Sequence, residues 1–144
     1  MKVFFDTSVL VAAFVSSHEH HTPARAAVQR VVAGRDDGVV GAHTLAEVYA
    51  VLTRLPVVPR IQPAEAARIV EDNVVKHFTV QTLNAAEHLA LIRRAPALGI
   101  AGGAIYDALL LACAEKAAVS RIYTVNTAEF RRLAPALSRI VTSP

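Results

Sequence analysis

Short strand-like runs alternate with helix-like stretches along the whole chain, and this alternation leaves few folds open. Lys2–Phe5, Gly38–Gly41, His77–Gln81, Arg121–Val125 and Ser138–Val141 read as strands. Helical stretches fall between them at residues 8–15, 23–33, 44–54, 63–75, 84–98, 103–117 and 127–133. Thr22-Pro23 supplies a capping residue followed by proline at the first helical position. Pro63 opens a further helix, and Asn84-Ala85-Ala86-Glu87 has the form of a capping box. Pro56 bounds the 44–54 helix, and Pro96 predicts a bend in the 84–98 helix. Strands alternating with helices build a mostly parallel sheet covered on both faces. The expected fold is therefore α/β: a single domain over residues 1–144, with a central sheet of about five strands flanked by helices. No repeat or linker divides the chain, and 144 residues of 53% hydrophobic content suit one core.

Three acids interrupt this apolar background. Asp6 ends Val3-Phe4-Phe5, Glu47 sits within Leu45-Ala46-Glu47-Val48-Tyr49, and Asp107 divides Ala104-Ile105-Tyr106 from Ala108-Leu109-Leu110. Burying an isolated carboxylate costs several kcal/mol unless it is paired or meets a metal. No Lys or Arg lies in these stretches. In a parallel α/β sheet, ligands bind beyond the carboxyl ends of the strands. Asp6 and Asn126 fall at such ends, and Glu47 and Asp107 in the first turns of helices, so all four can face one crevice. Carboxylates gathered there repel one another unless a hard divalent cation, Mg²⁺ or Mn²⁺, lies among them. Each acid also has a simpler reading. Asp6 could cap the next helix, Glu47 could lie on a solvated face, and Asp107 could bond within its own helix.

The motifs Phe5-Asp6-Thr7-Ser8-Val9-Leu10, Ala46-Glu47-Val48-Tyr49, Gly103-Ala104-Ile105-Tyr106-Asp107-Ala108-Leu109 and Tyr123-Thr124-Val125-Asn126-Thr127-Ala128-Glu129-Phe130 follow in this order. Together they make the chain resemble the PIN-domain nucleases, and among these the VapC-type toxins of toxin–antitoxin pairs. The resemblance runs nearly end to end. It implies an endoribonuclease that depends on Mg²⁺ (or Mn²⁺). Asp6, Glu47 and Asp107 match the metal-binding carboxylates, Ser8 a small polar residue near the metal, and Thr124 a supporting hydroxyl. Asn126 stands where many members have a fourth acid, so a second metal is less expected than a first. Glu129 either compensates for that acid or closes a capping box with Asn126. His21 and its neighbours match a histidine-bearing loop near the substrate groove, and Arg93 and Arg94 could contact RNA backbone or merely solvate a helix face. Further implications are RNA as substrate, a VapB-like antitoxin as partner and a homodimer. Alternatives are a PIN-fold module that binds an antitoxin or RNA without catalysis, and a DNA-directed nuclease.

The remaining features narrow the field by exclusion. There is no phosphate-binding Gly-x-x-x-x-Gly-Lys loop and no Gly-x-Gly-x-x-Gly turn. No serine has a recognisable base beside it, and Cys113, the single cysteine, lies in an apolar helical run that predicts burial. A net charge of +3, carried mostly by arginine, permits nucleic-acid binding without requiring it. No apolar stretch reaches the ~20 residues of a membrane span, and the start of the chain reads as a strand, so a cytoplasmic protein is expected. His18, His20 and His21 lack a standard zinc spacing and read as a polar loop. His43, His77 and His88 show no partner pattern and read as structural or surface residues.

Overall fold

The computed structural model describes residues 1–144. Five strands, β1 (Lys2–Phe5), β2 (Asp37–Gly41), β3 (Thr79–Gln81), β4 (Arg121–Tyr123) and β5 (Val141–Thr142), form one sheet in the order β3-β2-β1-β4-β5. All four pairings are parallel. The helices are α1 (Thr7–Phe14), α2 (His21–Val32), α3 (Ala42–Arg54), α4 (Pro63–Val70), α5 (Ala85–Arg94), α6 (Ala104–Lys116) and α7 (Thr127–Leu133). From β1 the chain steps outward to β2 and β3, then recrosses to β4 and β5 on the other side. The two halves diverge between β1 and β4, and in open parallel sheets that switch point forms the ligand crevice.

Successive strand residues point to opposite faces, and the core divides accordingly. Val3, Phe5 and Val40 pack with residues of α1, α2 and α3. Phe4, Val39, Ile122 and Val141 pack with residues of α6 and α7. Both faces are covered, so the central strands read as unbroken apolar runs rather than alternating ones. Phe5 meets Phe78 and Tyr123 edge-on, at centroid distances of 5.1 and 5.3 Å. Gly38 has no room for a side chain, because a Cβ there would lie 2.5 Å from the Phe78 ring and 2.7 Å from Val31.

Several boundaries differ from those expected. The helix assigned to 23–33 starts at His21, so Thr22-Pro23 lies inside its first turn. Proline is tolerated there because the first amides of a helix have no intrahelical acceptor. The helix assigned to 84–98 ends at Arg94, and the chain turns through Pro96 and Gly99 (φ +66°) rather than bending. The Asn84–Glu87 capping box is present in both directions. Residues 63–75 are helical throughout but widen into a π-helical turn over Glu71–Val75. The strand expected at Ser138–Val141 is displaced. Pro135–Ile140 forms a 3₁₀ helix, and only Val141–Thr142 reaches the sheet. Likewise β3 starts at Thr79, because Phe78 turns into the core instead of continuing the strand.

Candidate active site

Asp6 leaves β1 at the sheet centre, and its amide donates to the Tyr123 carbonyl at 2.9 Å. It occupies the N-cap position of α1, but its side chain caps nothing. Instead Oδ2 accepts from Ser8 Oγ at 2.5 Å and from Thr124 Oγ1 at 2.9 Å. Those two hydroxyl oxygens in turn accept from the backbone amides of Val125 (3.2 Å) and Asn126 (3.0 Å). Ser8 and Thr124 thus lock the β1–α1 turn to the β4–α7 turn across the switch point. Asp6 is only 5% exposed and Thr124 fully buried.

Glu47 comes from the second turn of α3. Thr7 Oγ1 lies 3.4 Å from its Oε1 and 3.2 Å from Thr44 Oγ1. His43 Nε2, one helical turn earlier, lies 3.3 Å from the same Glu47 oxygen. Asp107 projects from the first turn of α6. Asp6, Glu47, Asp107 and Asn126 line one cavity of about 350 Å³, together with Thr7, Ser8 and His18. Val11, Val51, Val125 and Phe130 supply its apolar wall.

The electrostatics of this cavity are those of uncompensated negative charge. Burial pushes the Asp6 carboxyl above its ordinary value, against the opposing hydrogen bonds from Ser8 and Thr124. Burial also raises Glu47; the nearby His43 opposes the rise and the Asp6 charge adds to it. Asp107 is raised to about 6, first by burial and then by the charges of Asp6, Glu47 and Glu129. No Lys or Arg lines the cavity.

This donor set suits a hard cation. It offers carboxylate, hydroxyl and amide oxygens, and repulsion that a divalent ion would relieve. No group of three or more Asp, Glu, His or Cys side chains is gathered tightly enough to hold one ion alone. The arrangement fits an ion that keeps much of its water and takes one or two direct carboxylates, as Mg²⁺ does. Replacing Thr124 by valine, nearly isosteric, would remove a hydrogen bond to a buried carboxylate and leave the Asn126 amide without its acceptor. Urea denaturation at pH 7 is expected to show a loss of about 1–3 kcal/mol.

The PIN-domain family profile matches residues 3–135. The chain belongs to the PIN-domain family. Ribonuclease VapC27 of Mycobacterium tuberculosis is 40% identical over 111 residues, covering 76% of this chain and 75% of that protein. Ribonuclease VapC40 of the same species is 37% identical over 105 residues, covering 73% and 72% of the two chains. These relatives put the chain among the VapC-type PIN proteins. The fold matches that in the crystal structure of VapBC2 from Rickettsia felis bound to a promoter DNA fragment. There the TM-score is 0.68 at 16% identity, over 100% of this chain and 99% of that one.

Not every residue singled out in the sequence of this PIN domain reaches the cavity. His21 does not line it; its ring Nδ1 is 2.9 Å from the Ala12 carbonyl oxygen, which ties α2 to α1. His18 lines the cavity in its place. Arg93 and Arg94 lie in the last turn of α5, and Arg94 borders separate hollows beside Glu115. Glu129 closes no capping box with Asn126. It is held by Arg132 in a two-pronged pair at 2.7 and 2.9 Å, one helical turn on. That arginine is the stronger partner, because its two N–H groups match the carboxylate geometry. Cys113 is buried, as expected, with Sγ 3.6 Å from the Gln81 carbonyl oxygen.

Thr7 and Thr44 carry no role in the sequence reading, and His43, read as a structural or surface residue without a partner, in fact pairs with Glu47. The histidine had a usable signal: His43 and Glu47 are four apart on a helix, the spacing at which side chains meet. Thr7 and Thr44 had none, because their contact joins residues 37 positions apart.

Proposed function

We propose that this chain is the ribonuclease toxin of a VapBC-type toxin–antitoxin pair, cutting RNA phosphodiester bonds with the help of Mg²⁺ or Mn²⁺. The observation that carries the reading is the convergence of Asp6, Glu47 and Asp107 on one cavity that no Lys or Arg lines. The ribonuclease names of the 40% and 37% identical relatives support the activity.

A divalent cation in this cavity supplies charge neutralisation at a phosphoryl oxygen and a lowered pKa for an attacking water. Asp6, Glu47 and Asp107 would hold it, directly or through water. Ser8 and Thr124 keep the Asp6 carboxylate in one orientation, so little reorganisation is needed when charge develops. Thr7 and His43 do the same for Glu47. Asn126 offers an amide oxygen but no negative charge, which favours one strongly held ion over two. The apolar wall of Val11, Val51, Val125 and Phe130 limits water around the scissile group.

Further parts of the reading are a VapB-like antitoxin partner, a homodimer and a cytoplasmic setting. The VapBC2 pair of Rickettsia felis, whose fold this chain shares, supports the first. Tyr49, Val58 and Val75, exposed on the 44–75 segment, offer apolar surface for protein contacts. No helix is long and apolar enough to cross a membrane.

The test is incubation of purified protein with single-stranded RNA and, separately, with DNA of the same sequence. Expected are RNA fragments with 5′-phosphate and 3′-hydroxyl ends in Mg²⁺ or Mn²⁺, and none in EDTA. Cleavage that persists in EDTA would refute the metal-dependent mechanism. Cleavage of DNA alone would reassign the substrate.

A further inference from the structure

Beside the acid cavity lies a flat aromatic surface that the chemistry of the three acids does not use. The rings of His43 and Tyr106 are stacked, with centroids 4.9 Å apart and planes within 4° of parallel. His43 belongs to α3 and pairs with Glu47; Tyr106 belongs to α6 and immediately precedes Asp107. The stack therefore joins the two helices that carry two of the three acids; neither ring lines their cavity, but His43 Nε2 lies 3.3 Å from Glu47 Oε1, which does. Tyr106 is 49% exposed. The approach to it is bare. Ala101, Gly102 and Gly103 are exposed, and a Cβ added at either glycine would meet nothing within 4 Å.

An exposed aromatic ring held in place by a second ring is apolar surface ready to be covered. Its chemistry favours a nucleobase. Every base has a π-face that stacks on an aromatic side chain without regard to sequence, and unpaired RNA is commonly held in this way. The cavity also lacks Lys and Arg. Phosphate neutralisation by basic side chains, the usual source of affinity, is therefore missing at the cut site, and stacking supplies attraction that does not depend on charge.

We infer that Tyr106, backed by His43, is the stacking platform for a nucleobase next to the scissile phosphate, and so a substrate-positioning residue for single-stranded RNA. The inference rests on the ribonuclease reading for its substrate, but its test is one of binding. Asp6→Asn protein, which should leave RNA intact, is titrated with oligoribonucleotides carrying 2-aminopurine at successive positions. Stacking quenches that base, so one position should darken on binding. Adding Tyr106→Ala should abolish the quench and weaken binding about 5- to 150-fold, as for lost base–aromatic stacking. Adding Tyr106→Phe should change neither by more than about twofold, since the ring is kept. RNA made abasic at the darkened position should bind equally to the Asp6→Asn protein with and without Tyr106→Ala.

Unaltered RNA affinity in the Tyr106→Ala protein would overturn the inference. So would a loss of affinity that persists undiminished on the abasic RNA. A change from dimer to monomer in sedimentation, with RNA quenching intact, would also overturn it and make Tyr106 a contact with a second copy. The ribonuclease reading fails separately, if wild-type protein does not cut RNA in Mg²⁺ or Mn²⁺.

Discussion

Replacing Asp6 with asparagine is expected to lower metal-dependent RNA cleavage by about 10³-fold or more while leaving the fold as stable as before, or more so. The activity loss follows from position. Asp6 is the acid at the sheet centre, fixed by Ser8 and Thr124, and the other two acids reach the cavity from helices on either side. Losing one charged ligand removes part of a cation effect worth several kcal/mol, and each ~1.4 kcal/mol is tenfold in rate. The stability result follows from burial. The Asp6 carboxyl is raised above its ordinary value, so its charged form is disfavoured by the native state. Asparagine keeps an oxygen for the Ser8 and Thr124 hydroxyls and discards the buried charge. The measurements are single-turnover cleavage and urea denaturation of metal-free protein at pH 7. Retained cleavage would mean the cation is not held at Asp6. A large fall in stability would mean that the carboxylate is a structural anchor.

Affinity for Mg²⁺ should fall by about tenfold between pH 7 and pH 5, because a cation must displace the proton that Asp107 holds below its pKa of about 6. The same shift sets the stability of the metal-free protein. Asp107 has a higher pKa folded than the ordinary value of 3.8 that it takes in an unfolded chain. Between roughly pH 4 and pH 6 the folded state therefore binds more protons than the unfolded one, and stability declines as pH rises through that window. Asp6 and Glu47, shifted in the same direction, add to the decline. Mg²⁺ at about 100 times its pH 7 dissociation constant should add about 2.7 kcal/mol at pH 7 and about half of that at pH 5. Calorimetric titration gives the affinities, and thermal melts with and without Mg²⁺ give the stabilities. Affinity that does not change with pH would show that the ion avoids Asp107. Asp36 moves oppositely, since Arg30 at 2.6 Å and the N-terminal amine at 3.3 Å hold it below its ordinary value. Its contribution is kept at neutral pH and lost only in acid.

The legible parts of this chain were those written in local chemistry. Asn84 and Glu87 close their capping box because both partners lie within one helical turn. The apolar runs of β1 and β2 announced strands buried on both faces. The same motif at Asn126 and Glu129 misled, because Arg132 lies equally close to Glu129 and binds it better. Ser138–Val141 looked like one strand, yet the 3₁₀ helix opened by Pro135 takes Ser138, Arg139 and Ile140. Arg93 and Arg94, which the sequence leaves open between RNA contact and solvation, sit in the last turn of α5 and do not line the cavity.

By itself the sequence determined the fold class, its parallel sheet, and the identity of three acids that a monotonous apolar background could not hide. A charge within an apolar run is conspicuous because its burial is costly wherever it ends up. The tertiary structure alone decided which groups surround those acids. Strand order brings Thr124 to Asp6 across 118 positions, and Thr7 to Glu47 across 40. It also stacks His43 on Tyr106 and leaves the cavity without Lys or Arg. Such contacts join segments that share no local pattern, so they exist only once the sheet has chosen its order.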